Sequence, residues 1–187
     1  MARDEDEPGV AVARAQRDVV PGAEDAEAVG LLERAFEQHR NAADIQVVGP
    51  GILQVLIVLG QFEAADKIGK QVAQLGPKGQ IAYAQFLASR GKHKEAGELL
   101  NAAFKAGAMA DAVRSALALA AGNASQSEWL DQPDNLLSLA LKGQPESVEL
   151  LQAQAYLRHL QRKYEEEVNT YLAIMAKNPS NFLFLNN

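Results

Sequence analysis

Val148–Asn181 reads VELLQAQAYLRHLQRKYEEEVNTYLAIMAKNPSN, and the fold turns on this stretch. Apolar or small residues stand at Leu151, Ala155, Leu160, Tyr164, Val168, Tyr171, Ile174 and Met175. Steps of three and four between such residues line one side of an α-helix. The pattern is interrupted at Gln161-Arg162-Lys163 and closed by Asn178-Pro179, where proline cannot continue a helix. A helix, a tight turn and a second helix follow from this.

The same 34-residue stretch resembles a tetratricopeptide repeat. That family's pattern places a small residue at position eight, an aromatic at seventeen, an aromatic or leucine at twenty-four and a proline at thirty-two, which fall here on Ala155, Tyr164, Tyr171 and Pro179. Two places depart from it: Glu167 stands where the family prefers alanine and Arg162 where it prefers glycine. The resemblance implies an all-α fold, a right-handed α-solenoid of stacked antiparallel helix hairpins, with a ligand-binding concave groove lined by the first helix of each hairpin.

Working outward, glycines recur at Gly60, Gly91 and Gly122, 31 residues apart, each at the end of a predicted helix where a left-handed cap is wanted. Gln61-Phe62-Glu63-Ala64-Ala65 and Lys92-His93-Lys94-Glu95-Ala96 follow the first two and look like the family's turn. Alanine suits the point where two helices cross, because a larger side chain would force them apart. The predicted helices are 50–59 and 63–75, then 79–90 and 93–106, the latter ended by Gly107. The fourth unit begins at Ala108 with DAVRSALALAAG, which has no charge after Arg114 and should be buried on most sides.

Two segments are irregular. Gly49-Pro50-Gly51, within 41–51, is a breaker cluster that should delay the next helix. GNASQSEWLDQPD, spanning 122–134, lengthens the step from Ala108 to Val148 to forty residues; it reads as a loop with a short helical turn around Trp129, then a helix over 133–142. Trp129 is either a plug filling the gap left by the irregular unit or a contact for a partner; packing is the preferred reading. At the amino end, residues 1–8 form an acidic tail. Helices over 8–20 and 23–40 make 9–41 a degenerate first repeat, so a repeat domain of about five units covers 9–181. Ser180-Asn181-Phe182-Leu183-Phe184-Leu185 reads as the start of a further helix, truncated within 182–187, which suggests a piece of a longer repeat protein.

Composition narrows the function. There are 33 alanines and a single threonine, a strongly helical bias. Eighteen basic and 24 acidic residues give a net charge of −6, with the basic residues scattered, so a nucleic-acid footprint is not expected. No cysteine is present, which removes disulfides and thiolate chemistry. Ile52–Leu59 is the most apolar run, far short of the ~20 residues a membrane span needs, and the acidic amino end lacks the order of a secretory signal. A cytoplasmic chain with no membrane contact is the expectation.

No catalytic, cofactor or metal constellation emerges. His39, His93 and His159 lack ligand spacing, and His93 takes the aromatic place in a turn. Glu165, Glu166 and Glu167 point about 100° apart around a helix and cannot converge on one atom; they suit the first turn of a helix electrostatically. The groove positions implied by the resemblance give Lys78, Gln85, Ser89, Gln152, Tyr156 and His159 as candidate peptide-binding residues, and in the fourth unit Met109, Ala112, Ala116, Leu119 and Ala120. The expected function is a non-enzymatic scaffold binding a peptide or protein segment. Two alternatives stay open: self-assembly through the repeat ends, with Phe182, Leu183, Phe184 and Leu185 as contacts, and a recruiting arm of a larger enzyme.

Overall fold

Gly60 shows how the chain turns. It adopts φ 70°, its N–H donates to the Ile57 carbonyl (3.0 Å), and the Gln61 N–H donates to Leu56 (2.9 Å). A left-handed residue thus pairs carbonyls that the helix end would leave orphaned. The same two-bond cap recurs at Gly91 (φ 75°), Gly107 (φ 98°) and Arg162 (φ 59°). Gly60, Gly91 and Arg162 close hairpins, whereas Gly107 leads from one hairpin to the next. Gly122 does not behave as expected: it is the last residue of its helix, and the end is capped instead by Asn123, whose Nδ2 donates to the Leu119 carbonyl (2.8 Å).

The computed structural model describes residues 23–41, 44–123 and 128–177. Among them are nine helices and no strand: α1 (Ala23–His39), α2 (Ile45–Val58), α3 (Phe62–Gln74), α4 (Pro77–Ser89), α5 (His93–Lys105), α6 (Met109–Gly122), α7 (Glu128–Gly143), α8 (Val148–Leu160) and α9 (Tyr164–Lys177). Consecutive helices pack against each other. The helices α2, α4, α6 and α8 also pack side by side, and α5 packs on α7. One layer therefore holds the first helix of each hairpin and a second layer holds the partners. The acidic tail, the helix expected over 8–20 and the apolar 182–187 segment lie outside the described residues.

Small residues set the close approaches. Ala65 and Ala96, the crossing residues of α3 and α5, are completely buried. A methyl group on Gly69 would overlap the Tyr83 ring, and one on Gly79 would overlap the Val72 carbonyl, so α4 lies directly on α3. Around these contacts Leu56, Ile68, Leu87, Leu100, Leu136 and Leu157 form a continuous core. Tyr83 donates its hydroxyl to Asp66 (2.9 Å). Hydrogen bonding to Lys70 is the largest influence on Asp66; it outweighs partial burial and holds the carboxyl below its ordinary value.

Two helices begin earlier than the breakers suggested. α2 starts at Ile45 and runs through Pro50, and α7 starts at Glu128 and runs through Pro133. In each the proline is the sixth helical residue, so a single interior N–H is missing and the helix on either side persists. Packing supports both: Gly49 lies against Val72, Leu75 and Phe36, and Pro133 is fully buried. The helix expected from 133 therefore begins at Glu128. Trp129 is 3% exposed, and its ring meets His93 edge-on with centroids 4.1 Å apart, filling the junction of α5 and α7.

Candidate functional site

Two of the residues singled out from the sequence, Gln152 and Tyr156, meet on the α2–α4–α6–α8 layer. Between α6 and α8 lies a cleft of about 270 Å³ lined by Val113, Leu117, Leu150 and Ala153, with Gln152 and Tyr156 on its α8 side. Tyr156 is 44% exposed, leaving an aromatic face available at the rim. Arg114 and Glu149 stand opposite each other at the edge, Nη2 to Oε1 3.6 Å, while Arg114 Nη1 donates to Asp111 (2.9 Å). An apolar floor, an amide, a phenol and a paired charge make a site able to take an apolar side chain and hydrogen-bond the chain that bears it.

Ser147 fixes the entry of α8: its Oγ accepts from the Leu150 N–H (3.3 Å), a side-chain cap that ties the start of the helix. Arg158 holds the far end. It bridges α8 to Asp134 of α7 and Glu166 of α9, each at 2.9 Å, and donates to Gln161 (2.6 Å). Its side chain is only 14% exposed, so these bonds satisfy a largely buried guanidinium.

Of the six candidates, the structure brings Gln152 and Tyr156 into one cleft. Gln85 lies one furrow away, where its Nε2 donates to Ser115 of α6 (3.4 Å). Lys78 and Ser89 are exposed at opposite ends of α4, and the Ser89 hydroxyl is bonded to the Phe86 carbonyl (2.7 Å). His159 turns toward its own hairpin partner: Nδ1 is 3.1 Å from Glu167 and the ring packs edge-on against Tyr164. In α6, Ala112, Ala116 and Ala120 are buried in the core and face no groove. Of the α6 residues that line the cleft, Ala110, Val113 and Leu117 stand one position beyond Met109, Ala112 and Ala116, so carrying the 31-residue register into this helix misplaced its face. Arg114 falls outside the expected groove positions in either register, although a charge on an otherwise apolar helix is itself a mark of the solvent side.

Two other clefts lie in the second layer. One, of about 390 Å³ between α1 and α3, is crossed by the Glu33–Lys67 ion pair (2.9 Å). The other, of about 440 Å³ between α5 and α7, is walled by Trp129, Gln132, Asn101 and Asn135. Gln132 donates to the Gly97 carbonyl there (2.7 Å), in space that a side chain on Gly97 would fill. Among the described residues no group of three or more histidines or carboxylates is arranged to hold a metal ion. No described helix is long and apolar enough to cross a membrane. Comparison with family models, with curated proteins and with solved structures gave no match.

Proposed function

We propose that the chain is a non-enzymatic interaction module of tetratricopeptide-like repeats, stacked as a right-handed solenoid, that holds a peptide or protein segment along the layer formed by α2, α4, α6 and α8. The observation that carries this reading is the α6–α8 cleft, where Gln152 and Tyr156 meet an apolar floor beside the Arg114–Glu149 pair. Its volume of about 270 Å³ suits one large apolar side chain. Gln85 and Lys78, farther along the layer, extend the surface for the rest of a bound segment.

The test is affinity capture from the source cells with the parent protein and a variant carrying Gln85→Ala, Gln152→Ala and Tyr156→Ala. Gln85 and Tyr156 are exposed and Gln152 is half-buried, outside the hydrophobic core, so the variant should keep the parent's helical circular dichroism. A protein retained by the parent and depleted at least about tenfold with the variant, a loss of ~1.4 kcal/mol, supports the module. Equal retention of every captured protein by a folded variant would overturn the assignment to this layer.

A further inference from the structure

The last helix bears a largely exposed apolar row, with the His159 ring edge-on against Tyr164 at one end. Tyr164, Val168 and Leu172 are 57%, 55% and 56% exposed, and Met175 is 37% exposed. They follow at steps of four, four and three, which places them on one side of α9. Scattered exposed apolar residues are ordinary, but a contiguous row is not.

The rest of the fold shows what such a row is for. Counting from the turn residues Gly60 and Arg162, Tyr164 corresponds to Phe62 of α3 and Val168 to Asp66. The helix that follows partly covers both of these α3 residues, while Lys70, the counterpart of Leu172, stays exposed. Arg90, just past α4, stacks over Phe62 at 4.2 Å, and Tyr83 of α4 donates to Asp66 at 2.9 Å. Pro77, the first residue of α4, comes shortly after Gln74 ends α3. Pro179 comes at nearly the same distance after Lys177 ends α9, and Phe182, Leu183, Phe184 and Leu185 follow it.

We propose that the row on α9 is the docking face for this chain's own Phe182–Leu185 segment. Four residues separate Lys177 from Phe182, and the five steps between them span roughly 17 Å if extended. Leu172 lies about 7.5 Å back along the helix from Lys177, so the segment can reach it. Tethering raises the segment's local concentration into the millimolar range or above, an advantage that a second copy or an unlinked partner lacks.

The absence of cysteine from the 187-residue chain gives a clean test on that chain. The pair Leu172→Cys and Phe184→Cys is compared with Ala173→Cys and Phe184→Cys, Ala173 being exposed and off the row. Oxidation is followed by non-reducing electrophoresis and peptide mass spectrometry. Docking predicts an intrachain disulfide in the monomer, formed at least about tenfold faster for the Leu172 pair, because the two pairs share the same tether and only Leu172 lies on the row. Equal rates for the two pairs would overturn the proposal. Disulfides found only between copies would overturn it as well, assigning the row to a dimer contact.

Discussion

The hairpins α4–α5 and α8–α9 follow the same backbone path with different chemistry. In α4–α5 the left-handed turn residue is Gly91 and the crossing residue is Ala96, which is completely buried. In α8–α9 the same places hold Arg162, at φ 59°, and Glu167. The first hairpin is closed by small residues that let apolar surfaces meet. The second tolerates a carboxylate at the crossing because His159 lies 3.1 Å from it and its side chain keeps 18% exposure. Arg158, bonded to Asp134 and Glu166, adds a polar clasp absent from α4–α5. The path therefore requires two capped ends and a crossing that is satisfied, whether by packing or by pairing.

Exchanging the crossing residues breaks the comparison most sharply. Ala96→Glu would place a carboxylate where nothing is exposed, with Ala88 at the place that His159 holds in α8–α9. A buried unpaired charge costs about 3–5 kcal/mol, a large part of the stability of a domain this size. Urea denaturation should show the midpoint collapse or the protein failing to fold. A loss under about 1 kcal/mol would mean that the α4–α5 crossing opens as readily as that of α8–α9.

The next largest effect separates the covered second helix from the uncovered one. Tyr83 joins α4 to α3 through Asp66, a tie for which α9 has no described counterpart. Tyr83→Phe should cost about 1 kcal/mol at neutral pH. Burial first, and then the bond to Asp66, hold the Tyr83 hydroxyl's ionisation above its ordinary value of 10.0. Its contribution is therefore fully present below pH 10 and is lost as the pH rises through the raised folded value. Asp66 is shifted the other way, below 3.8, so its contribution is present above that pH and lost as the pH falls through the depressed folded value. Denaturation midpoints measured across pH should fall at both extremes in the parent, and Tyr83→Phe should flatten the alkaline limb.

How far the sequence spoke for each region follows from what it encoded locally. Gly60, Gly91 and Gly107 marked real left-handed caps because their conformational need is intrinsic to the residue. Ala65 and Ala96 marked crossings because small size at a fixed offset has one geometric use. Pro50 and Pro133 misled. A proline's local preference is overridden when one lost hydrogen bond is offset by burial of Gly49 against Phe36 and of Pro133 in the core. The cleft was legible on α8, where Gln152 and Tyr156 kept register, and illegible on α6. There the helix runs on to Gly122 with Asn123 as its cap, and no local signal at Gly122 announced the shift.

Arg162 offers a smaller test in the stabilising direction. A non-glycine residue in the left-handed region carries a conformational cost of about 1 kcal/mol or more, from which the greater freedom of an unfolded glycine must be subtracted. Arg162→Gly should therefore raise stability by about 0.5–1 kcal/mol and make the turn of α8–α9 equivalent to that of α4–α5. A melting temperature that falls instead would show that the arginine side chain contributes more to the turn than its backbone costs.

Glu167→Ala, the reverse of the first exchange, should have the smallest effect. It removes a polar contact whose other member, His159, is 56% exposed and can be hydrated once freed, so no buried charge is stranded. Pairs of this kind contribute about 0–1 kcal/mol, and alanine has the higher helix propensity by a few tenths. The net change should lie within about 0.5 kcal/mol of zero, several-fold below the cost of Ala96→Glu. That asymmetry is the signature of a crossing where packing and pairing are interchangeable only in the direction that removes charge. A loss above ~2 kcal/mol for Glu167→Ala would mean that the carboxylate itself organises α8–α9, with Arg158 and His159 positioned around it as in a buried network.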